Sequence, residues 1–149
     1  MKRSTDRILT THVGSLPRPK ELIAAMVAEE QGKPVDRKEY DTTLRRAVGE
    51  VVKKQVELGV DIIDDGEYSK PGFAVYVNQR LGGYEPTGKH RESPWVNSSE
   101  ALAFPEFYAP SIKPRTGKPT AQSMEMICTG PVVYKGQALL QRDLDNLKA

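Results

Sequence analysis

Two short stretches, TTHVGSLPRP at Thr10–Pro19 and DIIDDGEYSKPGF at Asp61–Phe73, concentrate the residues of this chain whose types suit chemistry. Val13-Gly14-Ser15 in the first offers close backbone approach, N–H donors and a hydroxyl, a combination suited to a carboxylate or phosphate. Glu67 in the second stands just after Gly66, which lets the chain turn, and its carboxylate could hold an ammonium group, act as a base or bind a metal. Donors on one wall and a carboxylate on the other suit a zwitterion such as an amino acid. The plainer readings are a glycine turn whose serine satisfies local backbone, and a solvated acidic loop made by Asp64, Asp65 and Glu67 in which one residue caps the next helix.

Other candidates carry less. His12 is placed to donate to a substrate or to orient a neighbour, and a satisfied supporting histidine is the alternative. Arg18 could bind an anion or stand as a surface guanidinium. His90, between Lys89 and Arg91, reads as solvated, and Cys128 as a small buried apolar group in a strand.

The elements around these stretches must bring them together. Ile8–Val13 reads as a strand ending at Gly14-Ser15, and Pro17 and Pro19 then set up a helix over Lys20–Gln31. Asp36 followed by Glu39 forms a capping-box pattern. Tyr40, Leu44, Ala47, Val48, Val51 and Val52 then recur at helical spacing as far as Leu58, with Gly59 as terminator. Val60–Ile63 is a short apolar run rich in branched residues and reads as a buried strand, with Asp64–Lys70 as its exit loop. A further helix is expected over Pro71–Leu81, a third strand over Met124–Thr129 and a last helix over Gly136–Ala149. Between them, prolines 86, 94, 105, 110, 114 and 119 break up a proline-rich insertion at about 82–121, and a connection of that length is usually functional or disordered. Its aromatic and basic residues suit a lid, a site for an extended anion, or an arm packed on the surface or on a partner.

Strand, glycine-containing loop and helix in alternation imply a parallel sheet covered by helices. No G-x-G-x-x-G follows a strand, so a (β/α) barrel is favoured over a nucleotide-binding open sheet. In such a barrel the three strand ends, at His12–Ser15, Asp64–Glu67 and Cys128–Pro131, share one active face.

Composition narrows the classes. The chain has 149 residues, enough for one domain with a real core, and its 22 basic and 20 acidic residues are interspersed. Nucleic acid is therefore not an expected partner. One cysteine, Cys128, excludes an internal disulfide and a multi-thiolate metal site. The chain shows neither the apolar run of a secretory signal nor about 18 consecutive apolar residues for a membrane span. A cytoplasmic setting with no membrane partner is the expectation.

The ordered pair TTHVGSLPRP and GVDIIDDGEYSKPGF, separated by a long helix, resembles the catalytic barrel of cobalamin-independent methionine synthase and its shorter relatives, with MICTGPV fitting the family's next barrel strand. The resemblance implies an α/β chain forming the N-terminal portion, about three strands, of a (β/α)8 TIM-like barrel. It implies a methyltransferase in which zinc activates the thiol of homocysteine, or a related thiol, toward the methyl group of 5-methyltetrahydrofolate. Under it, Val13, Gly14 and Ser15 would hold the amino acid's carboxylate, with His12 beside them, and Glu67 its amino group. Two departures leave the acceptor thiol open: His12 where the synthases usually have a third threonine, and Asp65 where they have a histidine. The family's zinc ligands come from later strands and are absent from this chain. About three strands against eight, in 149 residues against about 250 for a typical barrel, suggest part of an enzyme or a chain completed by a second one. A uroporphyrinogen-decarboxylase-like enzyme and a non-catalytic subunit completing a barrel are the alternative expectations.

Overall fold

The structure, a computed structural model, describes residues 3–112 and 124–149. Its best-packed part is a pair of helices. Helix α1 (Lys20–Glu30) starts directly after Pro19, and its end is turned by Gly32 at φ 70° while Lys33 N–H donates to the Ala28 carbonyl at 2.9 Å. Helix α2 (Arg37–Glu57) starts at Asp36, whose Oδ1 accepts the N–H groups of Lys38 and Glu39 at 2.9 and 3.1 Å. Such a cap satisfies donors that the first helical turn leaves free. The apolar stripe of α2, Tyr40, Leu44, Ala47 and Val48, is buried against Leu22 of α1 and Tyr68, with Leu16, Met26, Val51 and Val52 around it. Beyond the helix, Gly59 at φ 77° reverses the chain and Val60 N–H donates to the Gln55 carbonyl at 3.0 Å.

The chain segments on either side of this helical pair approach each other in parallel, as the sequence leads one to expect, but over one bridge only, Thr11 with Ile62. Ile62 N–H donates to the Thr10 carbonyl at 3.1 Å, and the Thr11 hydroxyl donates to the Ile62 carbonyl at 2.8 Å. The ladder does not extend because a side chain takes the next position: Asp61 Oδ2 accepts both the Thr10 N–H at 2.9 Å and the Thr10 hydroxyl at 3.1 Å. Ile8, Val13 and Ile62 consequently remain exposed.

Helix α3 (Phe73–Arg80) leads without a loop into β1 (Leu81–His90). Short helices α4 (Ser99–Ala103) and α5 (Pro105–Ile112) follow, then β2 (Met124–Tyr134) and α6 (Gln137–Lys148). Here the expectation of three parallel strands fails. Met124–Thr129 is strand as expected, yet it belongs to β2 and pairs antiparallel with β1, from Leu81 opposite Tyr134 to His90 opposite Met124. A short strand-like run in the sequence does not name its partner or its direction, and here the partner is β1, which the sequence reading left inside the proline-rich insertion. The stretch after residue 81 is therefore no unbroken loop: Pro86 sits at an irregularity in β1, and Pro105 opens α5. Gly83, at φ 85°, lies so close to β2 that a Cβ would stand 2.4 Å from the Pro131 carbonyl oxygen. Residues 113–121 of the proline-rich segment lie outside the described residues.

The two strands are tied to the rest at their base. Arg80 Nη2 donates to Asp143 Oδ2 of α6 at 2.5 Å, with both side chains at least nine-tenths buried. Lys135 N–H donates to the Arg80 carbonyl at 2.8 Å, and the Arg80 guanidinium lies 4.0 Å from the centre of the Tyr76 ring.

Candidate functional site

The loops that follow the Thr11–Ile62 bridge close on each other. Leu16 N–H donates to the Gly66 carbonyl at 3.0 Å, and the Tyr68 hydroxyl donates to the Pro17 carbonyl at 2.6 Å. Burial pushes the Tyr68 phenol above its ordinary pKa, so it remains a donor. Between these two ties, the Ser15 hydroxyl donates to Glu67 Oε2 at 2.8 Å. Two residues separated by 52 positions thus meet at one rim, the convergence that the sequence reading requires.

The turn that presents Glu67 is built by its acidic neighbours. Asp64 Oδ1 accepts the Gly66 N–H at 2.8 Å, and Asp65 Oδ1 accepts the Glu67 N–H at 2.9 Å while Lys70 Nζ stands 3.7 Å away. The backbone of Asp64 is clamped on both sides by Gln55 of α2, whose Oε1 accepts its N–H at 3.1 Å and whose Nε2 donates to its carbonyl at 2.8 Å. Asp64 and Asp65 are committed to backbone, and Glu67 is the carboxylate that reaches across. Gly66 and Glu67 both adopt left-handed backbone, at φ 61° and 57°. For a residue with a Cβ this costs about 1–2 kcal/mol, and such outliers gather where a side chain must be aimed.

The other expected residues divide. Gly14, at φ 94°, has open space where a Cβ would be, leaving its backbone accessible, and Val13 is 87% exposed. His12 Nε2 is shut off from solvent with no hydrogen-bond partner among the described residues. Cys128 is exposed and not buried as expected, because it lies on the uncovered antiparallel strand pair, with its thiol donating to the Gly130 carbonyl at 3.4 Å. The third expected strand end, Cys128–Pro131, therefore does not join the rim, because it lies within β2 and not at a parallel strand's end. A separate cleft of about 360 Å³ between α1, α2, α3 and α6, lined by Met26, Arg37, Tyr40, Ser69 and Arg142 among others, contains none of the expected site residues.

Arg18, a possible surface guanidinium in the sequence, is central. Its Nη2 lies 3.1 Å from Ser15 Oγ, 2.9 Å from the Glu67 carbonyl and 2.7 Å from the Lys70 carbonyl. Pro17 and Pro19 on either side, which stiffen its backbone, are the one sequence signal that it is held in place. Zinc is not served by these residues. Among the described residues no three of His, Cys, Asp and Glu come together as a ligand set, and the one thiol is on β2. No helix among the described residues is long and apolar enough to cross a membrane.

A family model described as the catalytic domain of cobalamin-independent synthase matches residues 8–140. The 5-methyltetrahydropteroyltriglutamate–homocysteine methyltransferase of Bifidobacterium animalis subsp. lactis is 28% identical over 146 residues, which covers 91% of this chain and 18% of that protein. Its counterpart from Bifidobacterium longum is 33% identical over 89 residues, 60% of this chain and 11% of the relative. The chain thus spans less than a fifth of the length of these relatives. Among solved structures, a B12-independent methionine synthase from Shewanella sp. W3-18-1, in complex with selenomethionine, superposes with a TM-score of 0.54 at 19% identity, covering 93% of this chain and 33% of that one. That likeness speaks for a shared fold. With motif order, rim geometry and a family match running over most of its length, the chain belongs to the cobalamin-independent synthase catalytic-domain family.

Proposed function

We propose that this chain supplies the amino-acid-binding rim of a methyltransferase barrel that moves a methyl group from a 5-methyltetrahydrofolate to homocysteine or a related thiol. The observation that carries the reading is the hydrogen bond from Ser15 to Glu67 at 2.8 Å. A hydroxyl and a carboxylate in contact, beside the open backbone of Gly14, offer complementary partners for the two charged ends of one amino acid. On binding, the ligand's ammonium takes over the Glu67 carboxylate, and the freed Ser15 hydroxyl and the backbone N–H groups of Gly14 and Ser15 donate to the ligand's carboxylate. One charge-assisted hydrogen bond is exchanged for several, one of them between two opposite charges. The chemical contribution of this chain is orientation, since a thiol fixed by both ends of its α-carbon meets the methyl donor with little further entropy to lose.

Thiol activation by zinc belongs to the family's chemistry. The side chains here do not fit that metal, so no step through it is assigned to them. Exposed Ile8, Val13 and Ile62, beside a strand pair held by one bridge, support a barrel completed by further strands, in the same polypeptide or in a second chain. A cytoplasmic setting belongs to the same reading and rests on the single cysteine.

The test is calorimetric titration of L-homocysteine and L-methionine into the protein that carries this chain. Glu67→Gln and Ser15→Ala should each weaken binding by about 10–100-fold, the range expected for a hydrogen bond to a charged group. Unchanged affinity in both variants refutes the assignment.

A further inference from the structure

The direction of the Ser15 hydroxyl follows from its partners' chemistry. A guanidinium can only donate and an ionised carboxylate can only accept. Ser15 Oγ therefore accepts from Arg18 Nη2 at 3.1 Å and donates to Glu67 Oε2 at 2.8 Å. The same guanidinium nitrogen donates to the carbonyls of Glu67 and Lys70 at 2.9 and 2.7 Å; its two hydrogens are shared among three acceptors, and one cation spans both walls of the rim. Its Nε is buried with no hydrogen-bond partner among the described residues.

We propose that Arg18 is a positioning and specificity-determining residue that fixes the polarity of Ser15, acting through that hydroxyl and not on the reacting atoms. With Arg18 donating to Oγ, one of the two Ser15 lone pairs is occupied and its O–H is aimed away from the guanidinium. Once an incoming ammonium draws Glu67 away, that hydroxyl is committed to donating, and an anionic acceptor suits it best. The site is thereby biased toward ligands that present a carboxylate next to an ammonium, and against the neutral amide, whose carbonyl accepts from the Ser15 hydroxyl more weakly than an ionised carboxylate does. This rests on the amino-acid reading given above.

The experiment compares L-methionine with L-methioninamide, which keeps the ammonium and lacks the carboxylate. Affinities are measured in the protein that carries this chain for the wild type, Arg18→Met, Arg18→Lys, Ser15→Ala and the Ser15→Ala/Arg18→Met double variant. Arg18→Met fills similar space without any donor. It is expected to weaken methionine about tenfold, leave methioninamide within about twofold, and add nothing further in the Ser15→Ala background. Arg18→Lys keeps a cation and its donors and should stay within about threefold of the wild type for methionine. Equal weakening of both ligands by Arg18→Met, or an effect of undiminished size without the Ser15 hydroxyl, overturns the role of Arg18 and leaves the amino-acid reading intact. A wild-type protein that binds neither ligand overturns both. Should Arg18→Met not fold, Arg18→Lys answers alone: a small loss confined to methionine supports the proposal, and an equal loss for both ligands sinks it.

Discussion

Residues 8–80 and the strand pair of β1 and β2 are held together by different means. In the first region, contacts between residues about fifty positions apart repeat along the chain: Thr10 with Asp61, Leu16 with Gly66, Ser15 with Glu67 and Pro17 with Tyr68. Beneath them lies a shared apolar cluster that includes Leu22, Leu44 and Val48, each almost fully buried. The second region has long backbone pairing but little burial of its own: Ile127, Val132 and Val133 are all about half exposed, and Leu102, Phe104 and Phe107 more so. Backbone pairing sets the register of those strands, while side-chain burial is what makes a pairing stable. The rim that carries Ser15 and Glu67 thus stands next to the better-buried apolar cluster, although Ile8, Val13 and Ile62 of the same region stay exposed.

That contrast can be broken most directly at the base of the strand pair. Asp143→Ala removes the partner of a buried guanidinium, and an uncompensated buried charge costs about 3–5 kcal/mol. The expected outcome, read by chemical denaturation, is a large drop in stability. Hydrogen exchange should show the loss first in β1 and β2, because Arg80, just before β1, is bonded there both to Asp143 of α6 and, through its carbonyl, to the N–H of Lys135 just after β2. Equal loss of protection in α2 would mean that the two regions unfold as one unit.

Core truncation sharpens the same comparison. Leu44→Ala, at a position with no exposure, should cost about 2–5 kcal/mol. Ile127→Ala, 53% exposed on β2, should fall within about 0.5 kcal/mol of the parent. Similar costs at the two sites would contradict the account of where the core lies. Between the cluster and the rim, Gly66→Ala combines left-handed backbone at φ 61° with a Cβ 3.0 Å from Tyr68 Cε1 and 3.1 Å from Leu16 Cβ. The backbone part alone is worth about 1–2 kcal/mol. The shifted turn should also weaken amino-acid binding, whereas Gly14→Ala, with open space at its Cβ, brings the backbone penalty without a clash.

The two regions also differ in how far the sequence discloses them. The long helix after Asp36 is legible because its cap, its apolar period and its terminating glycine are all local, and the structure places it at Arg37–Glu57. The meeting of Ser15 with Glu67 follows from a general property of parallel strands, whose following loops lie on one side. The partner of Met124–Thr129 was not legible, since alternation defines a face and leaves the neighbour open. Leu81–His90, with Gly82, Gly83, Pro86 and Gly88, has little strand propensity of its own and forms through pairing. Arg18 was out of reach for a related reason. Which acceptors a guanidinium meets depends on two loops arriving together, and nothing near it in the chain records the Glu67 and Lys70 carbonyls.

The smallest expected effect concerns the strand bridge beside the rim and is read through pH. Hydrogen bonds from Arg7, then from the Thr10 N–H, hold the Asp61 carboxyl well below the usual carboxylate range. A carboxylate whose pKa is lower in the folded than in the unfolded chain adds stability that is fully present above the unfolded value, about 4, and is lost as pH falls below it. Between about pH 5 and pH 3 the protein should therefore lose stability at Asp61, and Asp61→Asn should flatten that part of the profile while lowering stability at neutral pH. Arg7 is 63% exposed, so salt screens its share of the effect and the Thr10 backbone bond carries what persists at high ionic strength. Denaturation midpoints at pH 3 and pH 6, with and without added salt, give the comparison. An acid limb of equal steepness in Asp61→Asn would place the sensitivity at another carboxylate and leave the bridge to the Thr11 and Ile62 backbone alone.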